Sequence, residues 1–131
     1  MRFVDTSFWW GARSRADRRH AQAAALVAAG IGPVLTSDLV VGEVWTLTRR
    51  GLGHAAAVQS VDAIFGLPDL TVEAVTPEDA EAAWAWLRLH DEREYSYVDA
   101  TSFALMRRLG ILEAYAFDGD FAAAGFIEVR P

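Results

Sequence analysis

Short apolar runs alternate along this chain with longer stretches whose apolar positions recur at helical spacing. The short runs predict strands at residues 2–5, 33–36, 70–74, 113–117 and 126–129. The longer stretches predict helices. Residues 16–29 are Ala-rich and closed by Gly30 and the Gly32-Pro33 break. A second helix starts at Ser37 or Asp38 as cap, reaches Arg50 and is punctuated by Gly51 and Gly53. A third covers about 54–66 and stops before Pro68. Thr76 as N-cap, Pro77 at the first helical position and Glu78 and Asp79 in the first turn open a fourth. A fifth covers about 97–109 and ends at Gly110, and a short turn or helix separates the last two strands. Strand following helix in this way predicts an α/β fold, a three-layer α/β/α arrangement around a mainly parallel central sheet with right-handed crossovers. In such sheets ligands sit beyond the carboxyl ends of the strands, where strand order switches.

At 131 residues the chain is expected to be one domain, 1–131, without an internal repeat or linker. No apolar run approaches the roughly 18–20 residues of a membrane span, and Asp5 interrupts any leader-like pattern at once. Disulfides, thiolate zinc sites and a cysteine nucleophile are excluded, because there is no cysteine. That composition suits a reducing interior, and a cytoplasmic location is the expectation. A net charge of −6 argues against nucleic acid only while charges are spread evenly. All 12 basic residues are Arg, and Arg13, Arg15, Arg18 and Arg19 cluster, with pairs at Arg49-Arg50 and Arg107-Arg108. Two readings stand side by side: helix ends compensated by cations, or contacts to phosphate.

Four acids sit where polarity is unexpected. Asp5 ends the first strand and Asp118 ends the strand of "LEAYAF". Glu43 shares a stripe with Val40, Val44 and Leu47. Asp99 opens a helix whose stripe is Val98, Ser102, Leu105 and Leu109. Each has an ordinary explanation alone: a helix start, a turn with Gly119, a pairing with arginine. Together they can converge on one edge of the sheet. Two carboxylates about 4 Å apart repel by roughly 4 kcal/mol at an effective dielectric near 20. Four would raise one another's pKa values unless a cation sat among them. Oxygen ligands without His or Cys favour Mg²⁺ or Mn²⁺ over zinc.

"FVDTS", "SDLVVGEVWTL", "YSYVDATSFALMRRLGI" and "AFDGDFAAAGF" together resemble the PIN-domain toxins of the VapC type, across nearly the whole chain. The resemblance implies a PIN-like fold and a metal-dependent endoribonuclease, the toxin of a toxin–antitoxin pair, leaving 5′-phosphate and 3′-hydroxyl ends. It places the catalytic and metal-binding set on Asp5, Glu43, Asp99 and Asp118, with Asp5 and Asp99 as principal ligands and Thr6 or Ser7 supporting the first. Many relatives carry a basic residue or His where this chain has Asp120. A fifth acid is therefore at hand, and the fourth ligand is Asp118 or Asp120, with Asp118 preferred because it ends the strand directly. Mg²⁺ or Mn²⁺ is the implied cofactor. The implied partners are an RNA substrate, a VapB-like antitoxin that inserts a segment into the active-site groove, and a second copy in a homodimer. Arg13, Arg15, Arg18 and Arg19 are the candidates for tracking the RNA backbone.

The rival from another class is a non-catalytic PIN-like module that binds RNA or protein; such modules usually lose part of the acidic set, which is complete here. Phosphoaspartate enzymes and receiver domains need a lysine that the chain does not have. His20, His54 and His90 read as ordinary surface residues. Trp84 fits a core stripe with Ala80 and Leu87, which makes Trp86 the better interface candidate. Trp9 and Trp10 stay unexplained beyond a contact surface.

Overall fold

The computed structural model describes all of residues 1–131. Strands Arg2–Val4 (β1), Val34–Ser37 (β2), Leu70–Glu73 (β3), Glu113–Tyr115 (β4) and Ile127–Glu128 (β5) form one sheet in the order β3-β2-β1-β4-β5. Every neighbouring pair is parallel, with Phe3 opposite both Leu35 and Ala114. The expected sheet, mainly parallel, is thus wholly parallel. The chain steps outward from β1 to β3 and then returns past β1 to lay down β4. That reversal opens a crevice between the carboxyl ends of β1 and β4, where parallel α/β sheets hold their ligands.

Alternation along the strands divides the core into two layers. Phe3, Leu35, Ala114 and Ala116 pack with Val40, Val44, Ile64, Phe103 and Phe121 on one side. Val4, Val34, Tyr115 and Phe117 pack with Phe8, Ala23 and Leu26 on the other. Helices Thr6–Arg13 (α1) and His20–Ala29 (α2) supply the second layer. Asp38–Leu52 (α3), His54–Phe65 (α4), Tyr97–Leu109 (α6) and Asp120–Ala123 (α7) supply the first, with Pro77–Leu89 (α5) packed along α6.

Three features differ from the sequence reading. Residues 6–13, left outside any element, form α1, and the second helix begins only at His20. The run Phe8-Trp9-Trp10 carries no clear period, and the cap that starts α1 is Asp5 itself, whose carboxylate accepts the Ser7 N–H. The buried face of α3 is Val40, Val41, Val44 and Thr48 rather than a stripe through Glu43 and Leu47, and Leu47 is exposed. Trp84 and Trp86 exchange roles. Trp86 packs edge-on against Phe103 and Tyr95, whereas Trp84 is exposed and stacks on Tyr97 at 4.3 Å. Ala83 is the fully buried position of α5, which turns its buried face toward residue 86 and away from residue 84.

Candidate active site

The crevice beyond β1 and β4 is lined by carboxylates, each held by its own local structure. Asp5 is buried, and its Oδ2 accepts the Ser7 N–H at 3.1 Å and the Ser7 hydroxyl at 2.8 Å. The same hydroxyl accepts the Phe117 N–H at 3.0 Å, which ties the end of β1 to the chain leaving β4. Asp99 is the third residue of α6 and one half of a capping box, its Oδ2 accepting the Ser96 N–H at 3.0 Å. Asp118 Oδ1 accepts the Asp120 N–H at 3.1 Å. Asp120 Oδ1 accepts Arg93 Nε–H at 2.8 Å, and Arg93 Nη2 donates to the Asp118 carbonyl at 3.1 Å. Each carboxylate is thus oriented through one oxygen, and its other oxygen makes no hydrogen bond to the protein. Oxygens of Asp99, Asp118 and Asp120 lie within 4.8 Å of one another.

Crowding shows in the protonation equilibria. Desolvation, then the charges of Asp118 and Asp99, push Asp5 up to about 8. Desolvation, then Asp118 and Asp120, raise Asp99 to about 7 against the opposing Ser96 hydrogen bonds. Asp118 is raised by desolvation and then by Asp120 and Glu128, although its outer side is open to water.

Asp79 provides an internal control. It occupies the same third position of a capping box, with Thr76 on α5, and is as buried as Asp99. There Arg108 closes on both oxygens at 2.8 and 2.9 Å. Desolvation still opposes its charge, but the hydrogen bonds from Arg108 and Thr76 outweigh it and hold Asp79 below the usual range. One local motif therefore carries opposite electrostatics: a completed ion pair in α5, an open carboxylate in α6. Ser96→Ala and Thr76→Ala are each expected to cost about 1 kcal/mol of stability through the lost cap. Only Ser96→Ala should also lower catalysis, by roughly 10-fold, because losing the hydroxyl that accepts the Asp99 N–H loosens the turn that carries Asp99, even though the Ser96 N–H still bonds its carboxylate. Urea unfolding alongside turnover measures both, and equal activity losses in the two variants would mean that the effect is stability alone.

The expected residues fall into two groups. Asp99, Asp118 and Asp120 bring carboxylate oxygens together, Asp5 lies near enough for the charges of Asp118 and Asp99 to raise its pKa, and Ser7 supports Asp5. Thr6 does not, since its hydroxyl is buried without a partner. Glu43 is half-buried, without a hydrogen bond or ion pair, and is not among the charges that raise the pKa values of the other acids. It stands roughly a third of a turn from the middle of the buried face of α3. Arg18 and Arg19 border a cleft of about 150 Å³ that Ser7 and Asp118 also line. Arg13 faces away, donating to Gln59 Oε1 at 3.1 Å beside Phe8 and Trp9 in a separate apolar groove. Arg15 is exposed and outside the cleft. No histidine joins the acids: His20 meets the Gly11 carbonyl, His54 packs on Trp45 and His90 stacks on Trp86. Arg93 is the site residue that sequence reasoning passed over. It lies among Asp91, Glu92 and Glu94 in what reads as a polar connection, and only the fold brings it to Asp120.

The PIN domain family matches residues 2–127. The 23S rRNA-specific endonuclease VapC20 from two strains of Mycobacterium tuberculosis is 56% identical over 131 residues, covering 100% of this chain and 99% of the relative. The crystal structure of Mycobacterium tuberculosis VapC20, described as a sarcin-ricin loop cleaving toxin, superimposes with a TM-score of 0.94 at 55% identity over the whole of both chains.

Proposed function

This chain belongs to the PIN-domain family as an RNA-cleaving toxin endonuclease of the VapC type, and from that premise we propose that it cuts the sarcin-ricin loop of 23S rRNA with the aid of Mg²⁺ or Mn²⁺ held by its acids. The observation that carries this reading is the set of four oriented carboxylates at the strand-order switch, each with an oxygen left free.

A divalent cation suits this donor set. The donors are all hard oxygens, without His or Cys, and the repulsion that raises Asp5 and Asp99 is what a cation relieves. Asp5 and Asp99 are the principal ligands in this reading, Asp118 the third, and Asp120 the acid at the rim that also anchors Arg93. Glu43, carried on α3, would complete the set. When bound, the ion supplies Lewis-acid stabilisation of a phosphoryl oxygen and lowers the pKa of water.

The protein's part is positional. The Ser7 hydroxyl and the Ser96 N–H each bond one carboxylate oxygen, of Asp5 and Asp99 respectively, so the pocket needs little rearrangement to be filled. With pKa values raised to about 8 and about 7, Asp5 and Asp99 would give up protons on holding a cation. Arg18 and Arg19 receive the RNA backbone beside Asp118, and Arg93 is placed to meet a phosphate oxygen on the Asp120 side. The products in this reading carry 5′-phosphate and 3′-hydroxyl ends.

The same geometry supports an antitoxin that offers a cation to the acids, because Arg93 already seats a guanidinium on Asp120. A homodimer would cover the exposed Trp84 and Leu89 on α5. No helix is long and apolar enough to cross a membrane, and a ribosomal substrate would call for a cytoplasmic reaction. Purified protein with millimolar Mg²⁺ or Mn²⁺ is expected to make a single cut in the isolated sarcin-ricin hairpin, and chelation should abolish it. Mapping the 5′ ends of the fragments is the check. An intact hairpin together with intact ribosomes would overturn the substrate assignment.

A further inference from the structure

The cleft beside Asp118 holds more than basic charge, because Trp10 forms part of its wall. Trp10 is half-buried near the end of α1, and its ring lies over Gly51 in the last turn of α3. A Cβ at Gly51 would stand 2.7 Å from Trp10 Cη2, so the glycine is what allows the indole to settle there. Glycine weakens a helix relative to alanine, and here the weakened position is the one the indole covers. The ring is a fixed aromatic surface on the rim of a site that acts on RNA, and such surfaces stack with bases at little ordering cost.

The charges around it lack partners. Arg18 and Arg19 make no side-chain hydrogen bond or ion pair, in a protein whose net charge is −6. Arg19 Nε is shielded from water without an acceptor, and its guanidinium carbon lies 6.0 Å from the centre of the Phe117 ring. The one other acid in the cleft, Asp17, is occupied, its Oδ1 accepting the Arg19 N–H at 2.8 Å. Arg49 and Arg50 adjoin Gly51 and are likewise outside any ion pair.

We infer that Trp10, Arg18 and Arg19 form a nucleotide subsite next to the catalytic acids, in which the indole stacks on one RNA base and the two guanidiniums hold the adjoining phosphate. The inference rests on the ribonuclease reading above and adds to it the position that fixes register: one base near the cut is read by its face.

The test is single-turnover cleavage of the sarcin-ricin hairpin and of a series in which one abasic nucleotide is walked across the positions flanking the cut. Trp10→Ala is expected to lower kcat/KM at least about tenfold. One abasic position should cost the parent a similar factor and cost Trp10→Ala almost nothing further. Gly51→Ala, which lies outside the cleft and displaces the indole, should reproduce that pattern. The double variant Arg18→Ala/Arg19→Ala should lower kcat/KM and flatten its salt dependence. If Trp10→Ala does not fold by thermal melting, Gly51→Ala and Trp10→Phe carry the comparison, with Trp10→Phe losing less and keeping the abasic response. Parental rates in folded Trp10→Ala, or equal abasic penalties in parent and variant at every position, would overturn the subsite and leave the ribonuclease reading standing. A parent that cuts no RNA would remove that reading first and the subsite with it.

Discussion

Asp5→Asn and Asp99→Asn are each expected to reduce RNA cleavage by more than about 100-fold while the fold persists. Outer-shell partners of metal ligands typically cost 10- to 100-fold, and these two residues would be ligands themselves. The fold should survive because asparagine keeps the local hydrogen bonds. An amide oxygen at position 5 can still accept from Ser7, and one at position 99 can still accept the Ser96 N–H. What disappears is one negative charge from the pocket and, with it, the free anionic oxygen. Cleavage of the sarcin-ricin hairpin by each purified variant, alongside its circular dichroism, makes the measurement. Undiminished cleavage by both variants would sink the assignment of Asp5 and Asp99 as principal ligands.

The stability of the metal-free protein is expected to fall as pH rises from about 4 to about 8, by an amount large enough to move the melting temperature on the order of 10 °C. The folded pKa values, about 8 for Asp5 and about 7 for Asp99, lie above the ordinary 3.8. Between those limits the folded chain keeps protons that the unfolded chain has released, so raising the pH favours unfolding. Below about 4 both states are protonated and the contribution is fully present; above about 8 it is gone, leaving buried carboxylates ionised side by side. Saturating Mg²⁺ or Mn²⁺ should reverse the trend, because the cation replaces the protons and binds only the folded site. Asp5→Asn should be more stable than the parent at pH 8 without metal and should respond less to its addition. Melting scans across pH, with metal or chelator, decide the matter. A flat metal-free profile, or a metal response unchanged by Asp5→Asn, would count against shared occupation of the pocket.

The two experiments together describe a protein that carries a destabilising charge cluster at its working site. Asp79 shows how the same capping motif is completed when stability is all that is required, with Arg108 on both carboxylate oxygens. Asp99 lacks that partner. Arg93, the one cation hydrogen-bonded to the cluster, reaches Asp120 at the rim and leaves Asp5 and Asp99 without an ion-pair partner.

Much of this was legible along the chain. The strands carry apolar runs and the later helices carry their own start and stop signals, so their positions agree with the reading to within a few residues. Asp5, Asp99 and Asp118 stood out because each interrupts or opens such an element. The first helix was missed because three consecutive aromatics follow its cap and hide any period. Trp84 and Trp86 were exchanged because a stripe read at helical spacing does not say where its centre lies. A rotation of about 100° per residue is enough to trade a core position for an exposed one. The same uncertainty placed Glu43 deeper than it lies.

The local facts are written in the chain: which segments are strands and helices, which acids end or open them, and that a parallel sheet would bring such acids to one edge. Those follow from periodicity, capping and strand propensity, which act over a few neighbouring residues. Which distant groups share the pocket depends on the complete fold. Arg93 meets Asp120 across 27 positions of chain, Ser7 joins Asp5 to Phe117 across 110, and Trp10 finds Gly51 on another helix. Such meetings are set by strand order and by the rotation of each helix about its axis. Both are fixed by burial of the whole apolar surface at once, and no local stretch of the chain records them.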